Sequence, residues 1–169
     1  MELNSEDAPS PPGHPNLRRL SKEELAEILD QHQIWLDSKG TKGRLADLGK
    51  TNLRGISLVG LNLAQANLKD AYLYGAYFKK TCLHSANCSG VNLRTANLRW
   101  ANLQKADLRH ANLMKADLLN ADLRETDLSA AKHLQCEQLK SAIINQKTKL
   151  PSYLKISWIS ESSYKCFCI

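Results

Sequence analysis

A five-residue repeat runs without interruption from Ala46 to Ala130 and constrains this chain more than any other feature of its sequence. Leucine occupies the central position in 15 of the 17 consecutive pentapeptides, with Phe78 and Cys88 as the exceptions. Five residues advance an α-helix by a net angle of about 140°, so successive leucines would form no apolar stripe. In a straight strand the odd period would place them on alternating faces. A chain that bends once per repeat puts every leucine into one core, which predicts a solenoid of short parallel strands.

Each position of the repeat has its own predicted role. The leucine and the residue two before it, which is alanine in 11 of 17 repeats, are expected to point inward. The residue before the leucine is Asn or Asp in 13 of 17 repeats. These short polar side chains are expected to hydrogen-bond the backbone at the bends. The two positions after the leucine are interpreted as free of structural constraint, so any functional signal is expected there.

The A-(D/N)-L-x-x pattern resembles the pentapeptide-repeat proteins. This resemblance implies an all-β solenoid, a right-handed quadrilateral parallel β-helix with four repeats per coil, about four coils here and α-helical caps at both ends. The residues before the repeats resemble a lead-in sequence common in bacterial members: His32, Trp35, Leu36, Ser38, Gly40 and Gly43. The residues after the repeats resemble the family's exit sequence: Leu134, Glu137, Gln138, Leu139, Ala142, Thr148, Leu150 and Pro151.

The flanks of the repeats are predicted to close the open ends of the solenoid. Ser21 and Glu24 form an S-x-x-E capping box that starts a helix over the first coil. A second helix is expected near Glu137 to Ile144, offering Leu139, Ala142 and Ile143 to the last coil. The predicted segments are a disordered tail (1–19), a capping helix and lead-in (20–45), the β-helix (46–130), a capping helix and arm (131–154) and a flexible tail (155–169).

The sequence shows neither a signal-peptide core nor a long apolar span, and we therefore expect a cytoplasmic protein. Five cysteines without framework spacing argue against a disulfide scaffold. Cys82 and Cys88 are interpreted as ordinary packing residues. The C-terminal residues CFCI have the spacing of a prenylation box with Cys166 as the acceptor, although a free tail is the preferred interpretation.

No catalytic residue, cofactor or metal site is predicted. The chain has no nucleophile elbow, phosphate loop, H-E-x-x-H motif or paired C-x-x-C. His84 and His110 fall at outward positions of separate repeats and are interpreted as solvated surface residues. The aspartates that precede the leucines are interpreted as corner residues rather than as a metal cluster.

The outward positions after the leucines are strongly basic, with 11 Lys/Arg against Asp70 and Glu125. Some pentapeptide-repeat proteins linked to quinolone resistance mimic DNA and engage gyrase. Such mimicry needs regularly spaced negative charge in place of phosphates. The charge of this chain therefore argues against a DNA-mimic modulator of gyrase.

A candidate partner patch follows if four repeats close one coil, because residues 20 apart then stack. It combines cations with aromatic rings: Arg54, Tyr74, Lys79, Lys80, Arg94, Arg99 and Trp100. Surfaces of this kind are typical of binding hot spots.

The predicted function is a rigid scaffold that binds a protein partner through this basic wall. Electrostatic binding of nucleic acid or an anionic membrane is the alternative function. A solubilising basic shell with one tolerated tryptophan is the purely structural interpretation of the same residues. Both a monomer and an end-to-end homodimer remain open.

Overall fold

The computed structural model describes residues 16–160 and 163–168, so residues 1–15 of the predicted disordered tail lie outside the described residues. Within these residues, two α-helices and two β-strands accompany the repeats. Their bounds are α1 (Lys22–Asp37), α2 (Cys136–Lys140), β1 (Leu154–Trp158) and β2 (Tyr164–Cys168). Between α1 and α2, the chain forms a stack of short parallel rungs.

The rungs pair residues that are 20 positions apart, so four pentapeptides make one coil. Asp47 pairs with Asn67, Asn67 with Asn87, and Asn87 with Asp107, all in parallel. The amide of Leu48 donates to the carbonyl of Asn67 at 2.8 Å, and such bonds recur from coil to coil. The pentapeptides therefore form the four faces of a shaft with roughly 4.8 Å between coils.

The core of the shaft follows the predicted inward pattern. All 17 central residues are buried, including Phe78 and Cys88. The residues two positions earlier are buried in the same way except at Ile56 and Leu61. Both exceptions lie in the first coil, where Arg18 supplies a rung beneath Thr51 but no bridge lies beneath 56–65 among the described residues. Leu61 is therefore 37% exposed.

The polar residue before each leucine performs the predicted corner role. In all 13 repeats that have Asn or Asp there, its Oδ1 accepts a hydrogen bond from the backbone N–H two residues later. The bond from Gln104 N to Asn102 Oδ1 measures 3.0 Å. Each such bond satisfies an amide that leaves the rung at the bend. These residues are structural parts of the shaft.

The last position of every repeat has left-handed backbone geometry. All 17 of these residues have φ between 51° and 73°, and only four of them are glycine. Side chains with a Cβ adopt this region at a cost of roughly 1 kcal/mol or more. The interpretation of this position as structurally unconstrained is therefore wrong, and only the position directly after the leucine is free of such a restriction.

Helix α1 packs against the first coil through one side. Ser21 and Glu24 form the predicted capping box, with bonds of 2.8 and 3.1 Å between side chains and backbone amides. Leu25, Ile28 and Leu29 contact the core. The lead-in glycines allow close packing beside this helix, since a Cβ on Gly43 would clash with the carbonyl oxygen of Gln31.

His32 is the buried polar anchor between α1 and the first repeat. Its Nδ1 accepts a hydrogen bond from the amide of Ala46 at 3.2 Å, and its ring stacks on Trp35 with centroids 6.0 Å apart. Nε2 is buried and makes no hydrogen bond among the described residues. Burial lowers the pKa of His32, because a charged imidazolium would lie away from water.

Acidification is expected to destabilise the protein through His32. Because the pKa is lowered on folding, the unfolded chain takes up a proton first as the pH falls below about 6.5. The free energy of unfolding is therefore constant above that value and decreases below it. We expect the melting temperature to fall between pH 7 and pH 5, measured by circular dichroism. An H32N variant, whose amide oxygen can still accept from Ala46, should show a smaller fall, whereas H84N should behave like the unmodified protein.

The C-terminal cap differs from its prediction in two respects. Helix α2 ends at Lys140, so Ile143 is not part of it and instead pairs with Asp122 as an added rung. Ile143 is therefore 47% exposed, and Ile144 takes the buried position, whereas Leu139 is fully buried as expected. Gln138 secures α2, with Nε2 donating to the carbonyls of two residues of the shaft, Leu113 and Ala116, at 2.9 Å each.

The predicted flexible tail over 155–169 is wrong for its described part. Strands β1 and β2 form an antiparallel hairpin in which Leu154 pairs with Cys168. One side of the hairpin, including Ile156 and Tyr164, packs against the core, and the Tyr164 hydroxyl donates to the carbonyl of Leu139 at 2.7 Å. Alternation along each strand gives the hairpin an apolar side, which packs against the core.

A single disulfide joins α2 to this hairpin, although the number and spacing of the cysteines argued against a disulfide scaffold. It links Cys136 to Cys166 across 30 residues, with the Cα atoms 5.5 Å apart. Cys166 in this state has no thiol to accept a prenyl group. Cys82 and Cys88 are free, and burial raises the pKa of the Cys88 thiol to about 12. An inert buried thiol agrees with the interpretation of Cys88 as a packing residue.

Candidate functional site: a basic and aromatic wall

Charge is distributed unequally over the four faces of the shaft. We number the faces from the first repeat, so that the second face begins at Thr51 and the third at Ile56. The second face comprises residues 51–55, 71–75, 91–95 and 111–115, and the third comprises 56–60, 76–80, 96–100 and 116–120. Together these two faces carry six Lys/Arg and a single acid, Asp117. The first and fourth faces carry five Lys/Arg and six Asp/Glu. The positive charge is therefore concentrated on two adjacent faces.

On the second face, two arginines contact one tyrosine. Arg54, Tyr74 and Arg94 occupy the same position in successive coils. The guanidinium carbons of Arg54 and Arg94 lie 5.4 and 5.9 Å from the centroid of the Tyr74 ring. Tyr72 stacks beside Tyr74 with ring centroids 6.3 Å apart. The stacking of coils therefore builds a cation–π row along the shaft.

On the third face, two cations contact one tryptophan. The Lys79 ammonium lies 5.2 Å and the Arg99 guanidinium 5.3 Å from the centroid of the Trp100 ring. Trp100 is 43% exposed and has a φ of 58°, in the left-handed region. Every repeat ends in this conformation, so the φ of Trp100 belongs to the fold, and its exposure beside two cations is the feature that sets it apart.

Arg99 lies at the centre of the third face beside its single acid. Its Nε lies 3.3 Å from Asp117 Oδ2 in the coil above, and both side chains are partly exposed. The same Nε is buried and makes no hydrogen bond among the described residues. Lys80, in the coil below Trp100, adds a further cation. The structure thus places the predicted patch residues on two adjoining faces, which we call the basic wall: Arg54, Tyr74, Lys79, Lys80, Arg94, Arg99 and Trp100.

Two of the five cations on the first and fourth faces are arranged differently, because carboxylates of the shaft neutralise them. Arg109 forms two hydrogen bonds to Asp107, at 2.9 and 2.7 Å, and Arg124 makes a similar fork with Asp122. Hydrogen bonding from Arg109 lowers the pKa of Asp107. These arginines have less capacity for a partner, since their donors already face carboxylates.

Sequence reasoning missed two tyrosines beside the wall, Tyr72 and Tyr77. They stand in the position that is Asn or Asp in most repeats, and that departure in two successive pentapeptides was the available signal. Tyr77 is 51% exposed on the third face. No group of His, Cys, Asp or Glu suited to a metal ion occurs within the described residues.

The repeats match a sequence profile described as pentapeptide repeats, with eight copies across residues 46–84, 62–99 and 92–129. The chain belongs to the pentapeptide-repeat family. Members of this family form right-handed quadrilateral β-helices, in agreement with the 20-residue spacing of the rungs. A comparison with curated proteins found no match.

Several solved structures of pentapeptide-repeat proteins are similar to the chain. One from the thylakoid lumen of Arabidopsis thaliana is 30% identical, with 54% of this chain and 67% of that chain covered and a TM-score of 0.45. Rfr23 from Cyanothece 51142 is 24% identical, with 72% and 99% covered and a TM-score of 0.40. QnrB1, a plasmid-mediated fluoroquinolone resistance protein, is 18% identical, with 65% and 77% covered and a TM-score of 0.31. Because these structures overlap with the chain only in part, no activity of theirs is assigned to this protein.

None of the helices within residues 16–160 and 163–168 has the length and hydropathy of a membrane span.

Proposed function

We propose that this protein is a non-enzymatic, rigid interaction module that binds a protein partner through the basic wall. The observation that carries the proposal is the pair of cation–π clusters on adjacent faces, centred on Tyr74 and Trp100. Aromatic rings and arginines dominate the energetics of protein interfaces. The shaft presents them with little loss of entropy on binding, because its backbone is held by rungs on both sides.

The wall has the character of a recognition surface in two further respects. Trp100 is 43% exposed, a high fraction for a large aromatic side chain. Val59 and Tyr77 add exposed apolar area on the third face. Interfaces combine such apolar area with arginine and aromatic residues in this way.

Charge reversal on the wall tests the proposal. The R94E/R99E double variant is expected to lose the specific partner in a quantitative pull-down by at least about tenfold, because it removes a cation from each ring cluster. Circular dichroism should show an unchanged β signal, since both side chains point outward. A K69E/K105E variant makes the same charge change on the first and fourth faces and should recover the partner normally. Equal recovery by the wall variant and the unmodified protein would contradict the proposal.

The same positive charge would also attract nucleic acid or an anionic membrane, which is the alternative function. A salt titration separates the two classes. Binding to nucleic acid should weaken steeply between low and physiological salt, because many phosphate contacts release counterions, whereas a protein interface anchored by Tyr74 and Trp100 as well as by charge should weaken less steeply.

We further propose a cytoplasmic monomer. Helix α2 and the β1–β2 hairpin contribute Leu139 and Leu154 to the buried core at the end of the shaft. An end-to-end homodimer through the last coil would have to displace them. We expect sedimentation equilibrium to give the mass of a monomer, whereas the mass of a dimer would show that α2 and the hairpin had moved away from the end of the shaft.

A further inference from the structure

We infer that the partner of the basic wall is an acidic segment of another protein, a proposal that rests on the function proposed above and names the chemistry of its partner. The segment lies across the second and third faces. Its carboxylates accept hydrogen bonds from cations that aromatic rings hold in place. Four observations support this chemistry.

The first observation is the segregation of charge. The second and third faces carry six cations and only Asp117, whereas the other two faces are close to neutral. A solubilising shell has no need of such asymmetry, because solubility depends on net charge rather than on its placement. A one-sided positive field favours a negatively charged partner and suppresses others.

The second observation is that the cations of the wall other than Arg99 are not paired with carboxylates of the described residues. Arg54, Lys79 and Arg94 contact rings, and no ion pair joins them to an acid within the described residues. Arg109 and Arg124, on the other faces, are each held by a carboxylate fork. A guanidinium beside a ring can still donate several hydrogen bonds from its N–H groups, and two of these groups match the two oxygens of a carboxylate.

The third observation is the buried Nε of Arg99, which makes no hydrogen bond among the described residues. Asp117 Oδ2 lies 3.3 Å from it but does not satisfy it. Buried donors without a partner are uncommon in folded proteins and require an explanation. A carboxylate bound beside Trp100 would draw the Arg99 side chain into a satisfied geometry.

The fourth observation favours protein over nucleic acid. Tyr74 contacts two arginines and Tyr72, and Trp100 contacts two cations. Single-stranded nucleic acid binds through free ring faces on which successive bases stack. Tyr74 and Trp100 lie on different faces of the shaft and each already contacts two cations, so they do not form a row of successive platforms for bases. Val59, half-exposed on the third face, suits an apolar side chain of a peptide instead.

Fluorescence anisotropy with defined probes tests the inference on the full chain. The probes are a labelled synthetic peptide of alternating Glu and Leu, the matching Gln and Leu peptide, a labelled DNA duplex of similar charge, and phosphatidylcholine vesicles with and without phosphatidylserine. We expect the Glu peptide to bind at least about tenfold more tightly than the Gln peptide and the DNA at physiological salt. R94E/R99E should lose that preference, and K69E/K105E should retain it. Vesicles with phosphatidylserine should not compete with the Glu peptide.

Each contrary outcome overturns the inference. Equal binding of the Glu and Gln peptides, or no binding of either, shows that carboxylates are not what the wall recognises. Tighter binding of DNA or of anionic vesicles assigns the wall to another class of partner. If R94E/R99E still loses its partner in the pull-down while the Glu peptide fails to bind, the acidic segment is excluded and the proposed function survives.

Discussion

Replacing Leu98 with alanine is expected to lower the free energy of unfolding by about 3–5 kcal/mol. Leu98 is fully buried, and the 20-residue spacing stacks it between Phe78 below and Leu118 above. The rungs hold the backbone of each coil at a fixed separation, so the shaft cannot collapse into the cavity. The cost should therefore lie at the upper end of the range for leucine truncation.

Urea unfolding followed by circular dichroism would measure this loss. Val59→Ala is the matched control, because Val59 lies on the same face and is half-exposed. We expect that variant to change stability by no more than about 0.5 kcal/mol. If the two substitutions lower the free energy of unfolding equally, the central residues of the repeats do not form the core that the repeat predicts.

Breaking the disulfide between Cys136 and Cys166 is expected to cost about 3–4 kcal/mol. The disulfide closes a loop of 30 residues, and constraint of the unfolded chain over that length gives a value of this size. Its loss should act first on the hairpin, because the disulfide joins strand β2 to α2 covalently. Without it, the Tyr164–Leu139 hydrogen bond and packing on the core hold this strand in place. A Cys166→Ser variant should therefore expose the C-terminal segment to proteases before the shaft unfolds.

Thermal melts with and without reductant, combined with limited proteolysis, would test this expectation. Reductant should lower the melting temperature of the unmodified protein and leave that of Cys166→Ser unchanged. Cys82→Ser, which alters a free and partly exposed thiol, should retain the full response to reductant. A reductant effect that persists in Cys166→Ser would contradict the assignment of this stability to the disulfide.

The disulfide also bears on where the protein works. Disulfides persist in oxidising compartments and are reduced in most cytosols. Cytoplasmic localisation stays a prediction. In a reducing cytosol the pair would exist as two thiols, and the hairpin would lose its covalent link to α2.

The parts of the fold that depend on one repeat were predictable from the sequence. Alternation around each leucine fixed the inward side chains, and all 13 Asn or Asp residues before it bond the backbone as predicted. These interactions involve neighbours two residues apart. The left-handed φ at the end of each repeat was missed, although Gly55, Gly60, Gly75 and Gly90 all stand there and were a readable signal.

The candidate site was only partly predictable. Residues 20 apart form the wall, so its rows follow once four repeats close a coil. Three features depend on the directions that side chains take across neighbouring faces, and a sequence does not give these directions. They are the contacts between rings and cations, the segregation of charge, and the Nε of Arg99 that makes no hydrogen bond. Tyr72 and Tyr77 were overlooked because their position in the repeat was assigned a corner role.

The sequence by itself determined a solenoid, its core and its basic exterior, because a strict five-residue period leaves one way to bury every leucine. The tertiary structure decided how the ends close and which charges share a surface. The hairpin over the last coil, the Cys136–Cys166 disulfide and the burial of His32 join residues far apart in the chain or beyond the repeat. No local period encodes such contacts, since they depend on the shape of the completed shaft.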